Sequence, residues 1–298
     1  MDVRLVLTAG DVVGESPVWD ERRGRLAWVD IIGRRIEALD PATGEHRVWP
    51  IVARPTSLAL RADGGALVGT ERHICRWDWE GEPEALVEVE PGLPGNRLNE
   101  GAVGPDGAFW VGSMHQNIRD DDGPAEIPAA TGLLYRYAPD GRLARVSEDR
   151  FGIVNTLVWP APDRLVTADT LADALYVYRV GEGGWLSNRE VFLEGFGRGL
   201  PDGSAVDAEG FIWTARVAGG GCLTRTTPDG RIGKVVELPC SAPTSCAFGG
   251  EELATLFVTS SRFGMTPDHL AANPQEGGVF SLEPGVAGRP AHRFGAAA

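Results

Sequence analysis

Short runs of β-prone apolar residues, broken by glycine- and proline-rich turns, recur from one end of the chain to the other. Between Gly199 and Trp213 the pattern is compact. Pro201-Asp202-Gly203 carries a turn signal, and Ser204-Ala205-Val206 reads as a short, partly apolar strand. Asp207-Ala208-Glu209-Gly210 is a second turn, and Phe211-Ile212-Trp213 is a β-prone run.

The same plan returns six times. The units open near Gly14-Glu15-Ser16-Pro17-Val18-Trp19, Pro55-Thr56-Ser57-Leu58, Asn96-Arg97-Leu98-Asn99, Ile153-Val154-Asn155-Thr156, Gly199 and Pro243-Thr244-Ser245-Cys246. Most units continue with two or three further strand-like runs. Corresponding points recur at roughly 40–55 residues, the period of propeller blades. No window carries a convincing helical period. The pattern predicts an all-β fold: a six-bladed β-propeller of four-stranded antiparallel blades around a central channel, formed as one domain over residues 1–298. In that fold the first strand of each blade lines the channel, so polar residues near the starts of those strands converge. One connection is too long for a turn. His115 to Thr131 has no strand pattern and reads as a binding loop or lid, with Asp120-Asp121-Asp122 as its solvated charged tip.

Composition narrows the functional classes. The 40 Gly and 21 Pro suit a turn-rich chain, and the nine Trp favour strands. A net charge of −14 argues against nucleic acid as a partner and favours neutral or cationic ligands, metal ions among them. Cys75, Cys222, Cys240 and Cys246 form no C-x-x-C pair and read as buried thiols. Nothing in the sequence signals a Cys240–Cys246 disulfide. No apolar leader or membrane-length stretch is present, which points to a cytoplasmic protein with no membrane partner, a monomer or weak homo-oligomer.

The chemistry sits at the inner-strand starts. Glu15, Asn99, Asn155 and Asp202 come from four different units and would face one another near the axis. Two carboxylates with two amide oxygens form a hard-oxygen set suited to Ca, Mg or Mn, with Zn or Fe(II) also admissible. Arg97 lies two residues from Asn99, on the same strand face, and could bind a hydroxyl-rich or carbonyl ligand. His115 is a candidate substrate contact. No nucleophile elbow, H-E-x-x-H motif, Walker loop or dinucleotide fingerprint occurs.

These residues resemble a known family. Gly14-Glu15-Ser16-Pro17-Val18-Trp19, Asn96-Arg97-Leu98-Asn99-Glu100-Gly101, Asn155 followed by Leu157, Pro201-Asp202-Gly203 with Asp207-Ala208-Glu209-Gly210, and Thr244-Ser245-Cys246-Ala247-Phe248-Gly249-Gly250 stand in the order and spacing of the SMP-30/gluconolactonase/LRE, or regucalcin-like, family. Thr167-Ala168-Asp169-Thr170 and Leu186-Ser187-Asn188-Arg189 look most like its bacterial sugar-lactonase branch. The resemblance implies one divalent metal held by Glu15, Asn155 and Asp202, with Arg97 and Asn99 contacting substrate. Two positions depart from the family pattern. Glu100 follows Asn99 where an Asp is usual, lengthening a carboxylate that shapes the substrate pocket. Thr156 follows Asn155 where a Gly is usual, so residue 156 must avoid positive φ or accept strain.

The expected activity is metal-dependent opening of a sugar-acid lactone, such as xylono-, arabinono-, galactono- or gluconolactone, with Asp202 as general base. Two alternatives use the same scaffold: hydrolysis of a non-sugar lactone or organophosphate ester, and a non-enzymatic metal-binding or interaction propeller.

Overall fold

The alternating runs pair in fours. In a computed structural model, which describes residues 1–296, six four-stranded antiparallel sheets form the blades of a propeller. The inner strands of blades 1 to 6 are Gly14–Asp20, Pro55–Leu60, Asn96–Val103, Val154–Ala161, Leu200–Val206 and Pro243–Gly249. Each pairs with the next strand in sequence; blades 1 to 5 are four-strand meanders running outward, and blade 6 follows that plan for its first three strands. Burial follows that order. In blade 1 the second strand, Arg25–Asp30, is buried throughout, whereas the outermost, His46–Pro50, is largely exposed. Large apolar side chains fill the space between blades, with Trp28, Trp77, Trp110 and Trp213 almost wholly enclosed. Three of these indoles donate to carboxylates: Trp28 to Asp11 at 2.9 Å, Trp110 to Asp106 at 3.3 Å and Trp213 to Asp207 at 3.0 Å.

Blade 6 is completed from the other end of the chain. Val3–Leu7 pairs antiparallel with Val279–Leu282, which closes the ring. The sequence pattern leaves this strand unassigned, because Val-Arg-Leu-Val-Leu has no turn of its own to place it. The four cysteines are free and buried, so Cys240 and Cys246 form no disulfide.

A register slip recurs in all six inner strands, close to the same height. In blades 1, 3, 4 and 5 two inner-strand residues oppose one on the neighbour. These residues are Ser16-Pro17, Asn99-Glu100, Thr156-Leu157 and Asp202-Gly203. Such bulges bend a strand and re-aim side chains. They correct one expectation. Pro201-Asp202-Gly203 is not a turn; it lies inside the continuous strand Leu200–Val206. Glycine is required at 203 for a reason in another blade: a Cβ there would lie 2.0 Å from Ser245 Oγ.

Candidate active site in the channel

The bulges bring together most of the residues singled out in the sequence. Glu15 and Asn155 directly precede a bulge, and Asn99 and Asp202 lie within one. All four are buried. Asn99 Nδ2 donates to Asn155 Oδ1 and to the Val154 carbonyl, both at 3.0 Å, joining blades 3 and 4. Asn155 Nδ2 donates to Thr170 Oγ1 at 2.9 Å, and that hydroxyl donates to the Pro201 carbonyl at 2.8 Å, joining blades 4 and 5. The amide oxygen of Asn155 is therefore oriented from both ends. Glu15 Oε2 accepts from the Ser16 amide at 2.9 Å, and Glu100 Oε1 from the Gly101 amide at 3.0 Å. Asp202 Oδ1 is buried without any hydrogen-bond partner.

An orphaned carboxylate oxygen is costly, and burial and like charges add to the cost. Burial, then the charges of Asp202 and Glu100, raise the Glu15 pKa well above its usual value. Burial, then the charge of Glu100, do the same to Asp202. Glu100 is pushed up to about 7, chiefly by burial. Arg97 is pulled down to about 10 by burial, against the pull of Glu71 and Glu15. Three mutually repelling carboxyls on one axis are an arrangement that a divalent cation relieves, and the donor set of Glu15, Asn155 and Asp202 fits one.

Arg97 and Asn99 act together, as their spacing predicts. Arg97 Nη1 donates to Asn99 Oδ1 at 2.8 Å and to the Leu98 carbonyl at 2.9 Å. Its Nε and Nη2 donate to Asn117 Oδ1 at 3.2 and 2.9 Å. No local sequence signal marks Asn117, because its part depends on how the long loop folds back. His115 ends the strand Phe109–His115 and is half-buried; a side chain at Gly95 would meet its ring at 3.5 Å. Among the described residues no hydrogen bond joins its ring to Arg97, Asn99, Asn155 or the carboxylates.

The long loop is docked rather than free. It leaves blade 3 and reaches blades 1 and 2, where Asp122 pairs with Arg34 at 3.1 Å and with Arg54 Nε at 3.1 Å. Arg54 also holds Glu71 at 2.9 Å. Ile118 is buried in the apolar cluster that includes Ile31 and Ile32, with Phe263 packed against it. Asp120 and Asp121 are exposed as expected, but Asp122 departs from the solvated tip because two arginines claim it.

A second acidic group lies in and beside blade 1, where oxygens of Asp11, Asp30 and Glu37 fall within 4.8 Å of one another. It already contains a cation. Arg35 reaches Asp11 at 2.8 Å, Asp30 at 3.2 Å and Glu37 at 2.7 Å.

Beyond the bulges lies a cavity of about 190 Å³, lined by the six inner strands, with Glu100 at its wall, and by Arg289, Pro290, Ala291 and His292.

Carboxylate and amide oxygens from several blades thus gather between the inner strands of a six-bladed propeller. The chain belongs to the SMP-30/gluconolactonase/LRE-like family, whose model matches residues 13–262. It is 36% identical to the 6-deoxy-6-sulfogluconolactonase of Pseudomonas putida over 292 residues, covering 96% of each chain. It is 34% identical to the regucalcin of Xenopus laevis, covering 94% of this chain and 93% of that one. A solved calcium-binding regucalcin from Agrobacterium tumefaciens superposes with a TM-score of 0.88 at 29% identity, covering 99% and 98%.

Proposed function

We propose that this protein is a metal-dependent lactonase that opens a sugar-acid lactone to the free acid. One observation carries the reading. Asp202 presents a buried, unpartnered carboxylate oxygen into a channel where Glu15 and Glu100 also bear on it. Sequence relatives that include a sulfogluconolactonase support the lactone as substrate class.

Glu15, Asn155 and Asp202 would hold one divalent cation, with Ca, Mg, Mn, Zn and Fe(II) all compatible with the donor set. When bound, that ion supplies Lewis-acid polarisation of the lactone carbonyl and charge to offset the tetrahedral oxyanion. The remaining work falls to the chain. Asp202 removes the proton from the attacking water as general base. Arg97 commits four of its five N–H bonds within the protein, leaving one on Nη2 for a sugar oxygen. Asn99 keeps its neighbour Asn155 in register and borders the sugar. Glu100 lines the channel wall, and His115 stands at the root of the loop as an outer substrate contact. The docked loop limits access of bulk water to the site.

The test is acid release from xylono-, arabinono-, galactono- and gluconolactone by chelated protein, with single metals restored and spontaneous hydrolysis subtracted. Metal-restored turnover of one lactone is the expected result. Metal binding without turnover of any would move the reading to a non-sugar lactone, an organophosphate ester or a non-catalytic binding propeller.

A further inference from the structure

Two of the three residues assigned to the cation are followed at once by a non-glycine residue in the left-handed region. Ser16 follows Glu15 at φ 50°, and Thr156 follows Asn155 at φ 53°. Each is the first residue of a two-against-one bulge. Glycine is the usual occupant of such a position, because a Cβ there meets the backbone. A β-branched residue at positive φ is a true outlier, and strain of this kind persists only where the surroundings over-determine it.

The surroundings here are hydroxyl bonds to the next blade. Ser16 Oγ accepts from the Leu58 amide at 3.0 Å, tying blade 1 to blade 2. Thr156 is fully buried, and its Oγ1 donates to the main-chain carbonyl of Asp202 and lies 2.7 Å from Ser204 Oγ. The Thr156 tie therefore runs from the residue after one assigned ligand to the backbone of another. Asn155 itself is held on its far side by Asn99 and Thr170. No such tie is needed for packing alone, since a valine fills the same volume.

We propose that Thr156 is a positioning residue of the channel site: its hydroxyl maintains the left-handed bulge that aims Asn155 at the axis and fixes Asp202 of the next blade relative to it. The inference rests on the proposed cation site. Serine at 156 keeps the hydroxyl, whereas valine keeps shape and β-branching and removes the donor. These two substitutions therefore separate positioning from packing.

The experiment is Mn²⁺ titration by calorimetry of chelated wild-type, Thr156→Ser and Thr156→Val protein, with lactone kinetics run in parallel. Loss of a group that orients ligands typically weakens metal binding 10–100-fold. Thr156→Val is expected to raise the Mn²⁺ Kd by at least about tenfold, and Thr156→Ser to stay within about threefold of wild type. If Thr156→Val does not fold, Thr156→Ala takes its place with the same expectation. Wild-type binding with an unchanged Kd in the valine or alanine variant would overturn the positioning role. So would a serine variant as weak as valine, because the hydroxyl would then not be the cause. A wild-type protein that binds no Mn²⁺ would instead overturn the cation site, and this inference with it.

Discussion

Asn117 Oδ1 accepts two hydrogen bonds from the Arg97 guanidinium, at 3.2 Å from Nε and 2.9 Å from Nη2. The contact links a loop docked on blades 1 and 2 to a buried arginine of blade 3, so loop position and guanidinium orientation are coupled. Removing Asn117 leaves Arg97 held only through Nη1 by Asn99 and the Leu98 carbonyl, and hydrogen bonds to charged groups carry about 1.5–3 kcal/mol. Asn117→Ala is expected to raise KM for the lactone about tenfold with a smaller change in kcat, the signature of lost binding shared by ground and transition states. Steady-state kinetics under saturating metal checks it. An unchanged KM would mean that Arg97 does not touch substrate.

Asp202 is assigned two roles, and substitution can separate them. Asp202→Ala is expected to lower kcat by about 10²–10⁴-fold, the range for loss of a general base, and also to weaken the cation. The decisive measurement is turnover at a metal concentration shown by calorimetry to saturate the variant. Near-full activity with metal bound would remove the base assignment while leaving the ligand set intact.

The raised carboxyls set the sign of the pH dependence. Glu15, Asp202 and Glu100 are all driven up by burial first, Glu100 to about 7. The metal-free native state therefore holds more protons than the unfolded chain above the usual carboxylate range. The associated stability is fully present below the unfolded carboxylate values of about 4 and is lost as pH rises from there through the raised values. Below pH about 6.5 two histidines oppose this, because burial lowers His46 and His292 and the unfolded chain takes up their protons. Above about pH 6.5 Tm of chelated protein should therefore fall with rising pH until the raised carboxyls are ionised, and Asp11 and Glu37, also raised by burial, share that slope. Cation affinity should rise over the same range, since the ligands must be deprotonated. Saturating metal should reduce the Tm slope by the share of Glu15, Asp202 and Glu100 and leave that of Asp11 and Glu37. A slope unaltered by metal would place the titrating groups elsewhere.

Much of this was visible in the residue order. Blade count, strand direction and the convergence of Glu15, Asn99, Asn155 and Asp202 follow from repeat spacing and from the position of polar residues near inner-strand starts. What escaped depends on contacts between distant segments. Pro201-Asp202-Gly203 has the local chemistry of a turn, and only Ser245 in the next blade explains why glycine stands in a bulge there. Asp122 lies 68 residues from Arg54, so its pairing leaves no short-range trace. Thr156 could be flagged as a conflict between residue type and family backbone, but the hydroxyl partner that permits it belongs to blade 5.

The acidic group of Asp11, Asp30 and Glu37 has the density of a metal site, yet its hydrogen bonds assign it to structure. Asp30 accepts from the amides of Val12, Val13 and Gly33 at 3.1, 2.9 and 3.0 Å, and Asp11 from Trp28 at 2.9 Å. Glu37 meets His46 at 2.6 Å as well as Arg35. Burial, then Glu37 and Asp30, raise the Asp11 pKa well above its usual value, so its charge is disfavoured where it sits. An asparagine removes that charge at nearly the same size. Asp11→Asn is expected to change unfolding free energy by less than about 1 kcal/mol, whereas Arg35→Met strands the remaining carboxylates and should cost about 3–5 kcal/mol. Denaturant unfolding at pH 7 compares the two, and Mn²⁺ titration should give one site per chain. A large loss from Asp11→Asn would show that Asp11 is ionised and that Arg35 alone does not balance the group. Two bound cations per chain would show that a metal competes with the guanidinium there.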